Sequence, residues 1–371
     1  MVAPKLRFKE FDGDWCTLKY KDVLTIKYGK DHKLLNEGVF PVYGTGGIMR
    51  YADQYLHDGE SILIGRKGTI DQPKYVNEKF WTVDTLFYTQ IKDNSIPLFL
   101  YQHALQVNWL GLNEATGVPS LNTTSINNVD ISLPSKEEQT KIASFLSAVD
   151  EKISQLSQKL HLLEQYKQGM MQQLFSQQIR FKADDGSDFE EWIECKLGEI
   201  STTFSGGTPK STNKEFFIGT IPFIKSGEIS KKYTDQFINE LALKESSAKL
   251  VKKGDLLYAL YGATSGQVAL SQIDGAINQA VLCIRSNLNI KYLLNFFLWK
   301  KDSILSTYLQ GGQGNLSAAI LKEILIPVPC LEEQTKIANF LSAIDQKMNV
   351  VSEQLKQAQN WKKGLLQQMF V

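Results

Sequence analysis

The chain carries none of the short signatures that mark catalytic machinery. It has no GxxxxGK[ST] phosphate loop, so ATP hydrolysis is not encoded. The glycines of GTGGIMR (Gly44 to Arg50) lack GxGxxG spacing and a following helix, which reads as a turn. The serine of GATSG (Gly262 to Gly266) lacks the GxSxG frame of a nucleophile elbow. The Asn/Asp-Pro-Pro-aromatic tetrapeptide expected of an adenine methyltransferase does not occur. Cysteine is sparse: Cys16, Cys195, Cys283 and Cys330 stand far apart without a CxxC, and His32, His57, His103 and His161 form no HExxH. A structural zinc site and a disulfide framework are both unexpected on that spacing. Apolar runs such as Tyr292 to Trp299 are far too short to span a bilayer, and MVAPKLRFKEF has no apolar leader core, so a cytoplasmic protein is expected. A net charge of +1 argues against nucleic-acid binding by a blanket of positive charge, while leaving room for local basic patches.

What the chain does have is a long internal repeat. EEQTKIASFLSAVDEKISQLSQKLHLLEQYKQGMMQQLF (Glu137 to Phe175) returns as EEQTKIANFLSAIDQKMNVVSEQLKQAQNWKKGLLQQMF (Glu332 to Phe370), 195 positions on (332 minus 137), without a gap and with about half the residues identical. In each copy the apolar residues alternate at spacings of four and three: Ile142, Leu146, Val149, Ile153, Leu156 and onward, answered by Ile337, Leu341, Ile344, Met348, Val351 and onward. That seam predicts a long helix packed lengthwise on another helix. At roughly 1.5 Å per residue each would be about 58 Å long. Lys167 and Lys362 fall on the same seam position, with Gly169 and Gly364 two residues later. A glycine there costs roughly 1 kcal/mol against alanine, which predicts either a frayed last turn or close backbone approach to a partner.

The repeat extends to the whole chain. RFKEFDGDWCTLKYKDV (Arg7 to Val23) answers RFKADDGSDFEEWIECKLGEI (Arg180 to Ile200), at an offset of 177 from Trp15 to Trp192, so 18 residues (195 minus 177) enter the second half further on. GESILIG and the turn GRKGT (Gly59 to Thr69) answer the strand, Gly-rich turn and strand of GDLLYALYGATSGQVAL from Gly254. VDTLFYTQI answers NQAVLCIRS as a strand, and PLFLYQHALQV answers YLLNFFLWKKD as a helix. Each half closes with a Gly and polar loop, TGVPSLNTTSI or GGQGNLSAAIL, then a strand ended by the proline before EEQ. The predicted fold class is α/β (α+β): tandem variable domains at residues 1–134 and 177–329, each followed by a long helix at 135–176 and 330–371. An approximate two-fold axis would make the repeat cyclic. The helices would then form an antiparallel coiled coil, Val371 would finish near Met1, and the two domains would lie at opposite ends.

The loops differ most, as in KYGKDHKLLNEG against FSGGTPKSTNKEFF, so recognition is expected there. In the first domain Lys30, His32, Lys33, Arg66 and Lys67 are candidates for phosphate contact, with Tyr43, Thr45 and Thr69 able to hydrogen-bond base edges. In the second, Lys210, Lys214, Lys225, Lys231 and Lys232 are the basic candidates, with Thr208, Tyr261, Thr264, Ser265 and Gln313 beside them. For any one of these the plain alternative is a solvated surface side chain. Arg66 and Lys67 are favoured because flanking glycines let backbone approach a phosphate.

The tandem EEQTKIA(S/N)FLSA(V/I)D helices, the Trp15 and Trp192 segments, the turns GESILIGRKGT and GDLLYALYGATSG, and the strand-proline-EEQ junctions at Pro134 and Pro329 cover nearly the full chain. Together they resemble the specificity subunit of a type I restriction-modification system. The resemblance implies two target-recognition domains similar to the DNA-reading domain of adenine-N6 methyltransferases, each reading one half of a bipartite, asymmetric sequence in double-stranded DNA. It implies that the paired helices act as a ruler for the unread spacer and hold two modification subunits. It also implies a chain that is non-catalytic and binds no cofactor: S-adenosylmethionine resides on the modification subunits, and ATP and magnesium serve the restriction subunits that join them. A membrane has no part in this. The helix positions expected to be exposed to partners are Glu137, Glu138, Lys141 and Phe145, with Glu332, Glu333, Lys336 and Phe340. A rival of another class, a non-catalytic scaffold joining protein-binding modules, would use the same positions as its whole interaction surface.

Overall fold

The computed structural model describes residues 3–308 and 316–371. The chain divides into two compact units, Met1–Gln158 with Ser352–Val371, and Lys159–Val351. Each unit therefore holds one variable domain, the beginning of one long helix and the end of the other.

In the first unit β1 (Cys16–Lys19) is followed by β2 (Leu24–Tyr28), β3 (Phe40–Gly44), β4 (Gly47–Ala52), β5 (His57–Gly65), β6 (Lys74–Thr82), β7 (Leu86–Ile91) and β8 (Asp130–Leu133). The first and last of these pair antiparallel, Cys16 opposite Leu133, which closes the domain on itself just before the helix begins. The other six form one sheet in the order β2-β7-β5-β6-β3-β4, antiparallel except where β3 runs with β6. The apolar run of β5 is buried because its alternate residues serve two cores. Ile62 and Ile64 join Trp15, Tyr20, Phe99 and Trp109, while Leu63 packs with Val76, Phe80 and Leu86 on the other face.

The second unit repeats this plan with β9 (Ile193–Lys196), β10 (Ser201–Ser205), β11 (Ile221–Ile224), β12 (Phe237–Ile238), β13 (Lys249–Val251), β14 (Leu256–Ala259), β15 (Val268–Leu270), β16 (Gly275–Ile277), β17 (Val281–Ser286) and β18 (Leu325–Val328). Here β9 pairs with β18, and the sheet is divided into β10-β17-β14-β15 and β12-β11-β16-β13. The division falls where β6 of the first unit runs unbroken and its counterpart is interrupted between Leu270 and Gly275. The parallel pair carries the equivalence: Val42 opposite Trp81 and Tyr43 opposite Thr82 are matched by Phe223 opposite Ala276 and Ile224 opposite Ile277. The shared fold expected from the repeat is therefore present, with the long β5 and β6 of the first unit each answered by two shorter strands in the second. The added residues enter in steps: the offset rises from 177 to 181 before β11 (223 minus 42) and reaches 195 by β16 (276 minus 81).

The two long helices span Lys136–Phe175 and Leu331–Met369. In the first unit Ile142, Leu146 and Val149 share a core with Leu365, Leu366 and Met369, so the start of one helix meets the end of the other, antiparallel. The second unit repeats the arrangement with Ile337, Leu341 and Ile344 against Met171, Leu174 and Phe175. Each fully buried leucine or isoleucine contributes about 1.5–3 kcal/mol. The frayed-turn reading of the seam glycines does not hold, and nothing within this chain closes on either glycine. The helices continue past Gly169 and Gly364, and a side chain at either would meet no backbone. The seam lysines are paired instead, Lys362 Nζ with Asp150 at 2.5 Å and Lys167 Nζ with Asp345 at 2.6 Å. Met1 lies outside the described residues, but the cyclic closure is visible nearby, where the Leu6 amide donates to the Gln368 carbonyl at 2.9 Å.

Candidate nucleic-acid interface

Both domains bring their loops to one edge by the same device. The chain leaves β2 at Gly29 and β10 at Gly206 (offset 177), where it crosses the backbone that follows β6 or ends β16. A Cβ on Gly29 would overlap the Val83 and Thr82 carbonyl oxygens, and one on Gly206 the Ile277 carbonyl oxygen. Only glycine permits that approach.

In the first domain the Gly29 amide donates to the Leu86 carbonyl at 3.1 Å and the Lys30 amide to Thr82 at 2.8 Å, which lays the Lys30–His32 loop beside the turn at Val83–Thr85. The Arg66 and Lys67 amides donate to Thr85 from the other side, and Arg66 Nη1 donates to the Asp84 carbonyl at 3.1 Å. The Arg66 guanidinium lies 5.4 Å from the centre of the Tyr28 ring. Thr45 is in the turn between β3 and β4, with its Oγ1 3.8 Å from where a Cβ on Gly68 would sit. Lys30, His32, Thr45, Arg66 and Lys67 are thus brought together, around a cleft of about 550 Å³ lined by His32, Gly44–Met49 and Val83–Thr85. Thr69 lies just beyond, its carbonyl against Gly65. Lys33 is exposed in the following loop. Tyr43 departs from the expectation, because its hydroxyl donates to Glu78 at 2.5 Å. Burial, with Glu78 beside it, raises the Tyr43 pKa, so the group stays protonated and committed to that carboxylate.

The second domain assembles a different set at the equivalent edge. Thr208 Oγ1 donates to Gln279 at 2.5 Å, and the half-buried Tyr261 opens the turn that carries Thr264 and Ser265. Ser265 Oγ donates to the Leu260 carbonyl at 3.0 Å, so its hydroxyl serves the turn. The Thr264 methyl lies 3.9 Å from the Cβ position of Gly227, in the short turn that follows Lys225. At offset 195 Tyr261 answers Arg66 and Gln279 answers Asp84, so the two edges share positions and differ in chemistry. Lys210, Lys214, Lys231 and Lys232 are exposed on flanking loops, Lys231 5.6 Å from the Tyr233 ring. Gln313 lies outside the described residues. Asp84 and Gln279 were missed by the sequence reading, although the repeat marks both as the turn residue before a shared strand.

The helix positions expected to face partners are largely spent inside the fold. Glu138 and Glu333 are buried, at 1% and 0% exposure. Arg7 holds Glu138 through two bonds of 2.7 Å, and Arg180 holds Glu333 at 3.2 and 2.9 Å. These carboxylates raise the guanidinium pKa values further. Phe145 packs on Phe8 and Trp361, and Phe340 on Phe181. Lys141 pairs with Glu10 at 3.4 Å and Lys336 with Asp184 at 2.5 Å. Glu137, Glu332 and Lys141 remain exposed, the two carboxylates in the first turn where the helix dipole favours them, with Glu332 3.7 Å from Lys336. The glutamines of EEQ are structural too: Gln139 accepts from the Ile96 amide and Gln334 from the Asn289 amide, both at 2.9 Å, tying each helix to a helix start of its own domain. The repeated RFK and EEQ words are two halves of one clamp, which separate alignment of each word did not reveal. Exposed apolar groups on the helices instead include Leu162, Tyr166, Val350 and Trp361, with Tyr166 and Trp361 at equivalent positions.

Among the described residues no cluster of His, Cys, Asp and Glu is arranged to hold a metal, and no helix is long and apolar enough to cross a membrane. The family model for the type I restriction modification DNA specificity domain matches residues 12–165 and again 189–359. The type I restriction enzyme MjaVIII specificity subunit of Methanocaldococcus jannaschii is 27% identical over 97% of this chain and 94% of its own length. The protein named as the MjaX specificity subunit of that organism is 28% identical over 72% of this chain, which spans 65% of that relative. The crystal structure of a type I restriction-modification system S subunit from M. genitalium superposes with a TM-score of 0.69 at 17% identity, covering 100% of this chain and 99% of the other.

Proposed function

The chain belongs to the type I restriction-modification DNA specificity family, and from that premise we propose that its two variable domains read the two halves of a bipartite, asymmetric target in double-stranded DNA. It is the specificity component of such a system, and assembly with the other subunits and with DNA goes with that role. In finer detail, two modification subunits, one per repeat, supply S-adenosylmethionine and methyl transfer, and restriction subunits supply ATP- and magnesium-dependent translocation and cleavage. The helices set the unread spacer. The observation that carries the reading is the duplicated edge: the same sheet position presents Lys30, His32, Thr45, Arg66 and Asp84 in one domain, and Thr208, Tyr261, Thr264 and Gln279 in the other. One scaffold with two chemistries suits two different half-sites. The scaffold rival loses half of the eight positions it would use, since Glu138, Glu333, Phe145 and Phe340 are engaged internally.

The test is co-expression with a modification subunit, followed by genome-wide mapping of methylated adenine. A gapped, two-part motif is expected, and exchange of residues 1–130 for the matching domain of a relative changes one half only. A stable complex that yields no motif, or an exchange that alters both halves, refutes the proposal.

A further inference from the structure

The β3–β4 hairpin carries a feature that the polar candidates leave unused. Ile48 and Met49 follow its turn at 49% and 60% exposure, on the outer strand of the sheet, and both line the cleft that His32, Thr45 and Asp84 share. Met49 is seated rather than loose. Its sulfur occupies the place where a side chain on Gly44 would be, 2.5 Å from an ideal Cβ, beside Val83. Cations surround this apolar tip: Lys30 and Lys67 are exposed on the neighbouring loops, Arg66 is half-buried at the same turn, and Lys74 Nζ comes within 3.5 Å of the Cβ position of Gly47. A protein partner's apolar surface would gain nothing from that ring of charge, whereas duplex DNA offers phosphates outside and base edges within.

In the major groove, thymine is the base that presents an apolar group, its 5-methyl, next to an acceptor, O4. Ile48 and Met49 share the lining of the cleft with Thr45 and Thr85, whose side chains are hydrogen-bond donors, so apolar and donor groups occur in one cleft. Resting on the recognition function proposed above, we propose that Ile48 and Met49 pack on the 5-methyl group of a thymine in the half-site read by the first domain. The second domain has no tight hairpin here and reaches its outer strand β12 through residues 225–236. After the equivalent of Tyr43, which is Ile224, the chain continues into Lys225 and a short turn at Ser226–Glu228.

The experiment uses the complex of this chain with its modification subunits and duplexes carrying the mapped motif, with deoxyuridine replacing one thymine at a time. Loss of a single methyl at the contacted thymine weakens binding about fourfold, the effect of exposing one methylene-sized group. Met49→Ala with Ile48→Ala removes the difference between the thymine and deoxyuridine duplexes, and the other half-site is insensitive throughout. If the complex binds no gapped motif, the recognition function itself fails. If it binds the motif and every first-half thymine is replaceable without loss, this assignment alone fails. A variant that weakens thymine and deoxyuridine duplexes equally, as a wedge between base steps would, also overturns it.

Discussion

Replacing Arg7 by alanine destabilises the first unit more than Arg180→Ala destabilises the second. The Arg7 guanidinium makes both bonds to a carboxylate whose side chain is 2% exposed, and it also donates to the Gly13 carbonyl at 2.7 Å. Its removal leaves a buried, uncompensated charge, which costs about 3–5 kcal/mol. Glu333 is better insured. Trp192 Nε1 donates to it at 2.8 Å, whereas Trp15 Nε1 is buried without a partner. One retained bond to a charged group is worth about 1.5–3 kcal/mol, so Arg180→Ala loses correspondingly less. Two compact units allow two unfolding transitions, and the assay is a thermal scan followed by tryptophan fluorescence. For domains of this size 1 kcal/mol moves the midpoint by about 2–4 °C, so the Arg7→Ala transition falls by roughly 6–20 °C. Arg7→Met with Glu138→Leu recovers most of the loss, because a neutral apolar pair carries no desolvation penalty. A shift at Arg180→Ala equal to or larger than that at Arg7→Ala refutes the reasoning.

The seam ion pairs give a second asymmetry of charge. Lys362→Asp alone sets a second carboxylate beside Asp150, whereas Lys362→Asp with Asp150→Lys restores attraction. With Asp150 at 35% side-chain exposure the recovered coupling is about 1 kcal/mol, read from urea midpoints of the four chains of a double-mutant cycle. A coupling indistinguishable from zero would mean that the seam lysines are incidental. His103 supplies a pH prediction. It is buried against Phe370, shares a hydrogen bond of 2.9 Å with the Tyr20 hydroxyl, and burial lowers its pKa to about 4. The unfolded histidine takes up a proton near its ordinary value of about 6.5, so stability contributed by the neutral ring is complete above that pH and is lost as pH falls towards 4. The stability difference between the natural chain and His103→Phe should therefore shrink across that window, and a flat difference would contradict the assignment.

The long helices, their antiparallel pairing and the doubled domain were legible because each rests on a pattern that survives in one dimension. A seam of fours and threes and an ungapped repeat need no knowledge of contacts. The EEQ positions were misread for the opposite reason. Glu138 is charged, lies at the start of an amphipathic helix and resembles Glu137 beside it, yet a rotation of about 100° per residue carries it from solvent to Arg7. Only the position of an arginine 131 residues away decides between those fates. The reading edge was partly legible for a related reason. Arg66 and Lys67 stood out between glycines, but Gly29 and Gly206 owe their identity to carbonyl oxygens of strands far along the chain. Ile48 and Met49 went unnoticed because exposed apolar residues look like core residues in a sequence. Composition favours polar candidates for a nucleic-acid surface, but an apolar group becomes informative once the fold has spent every buried position and leaves it outside. The first domain has done that at the tip of a tight hairpin, whereas the second joins β11 to β12 by a longer segment and leaves Tyr233 and Phe237 outside, so the two edges offer different apolar groups to whatever each reads.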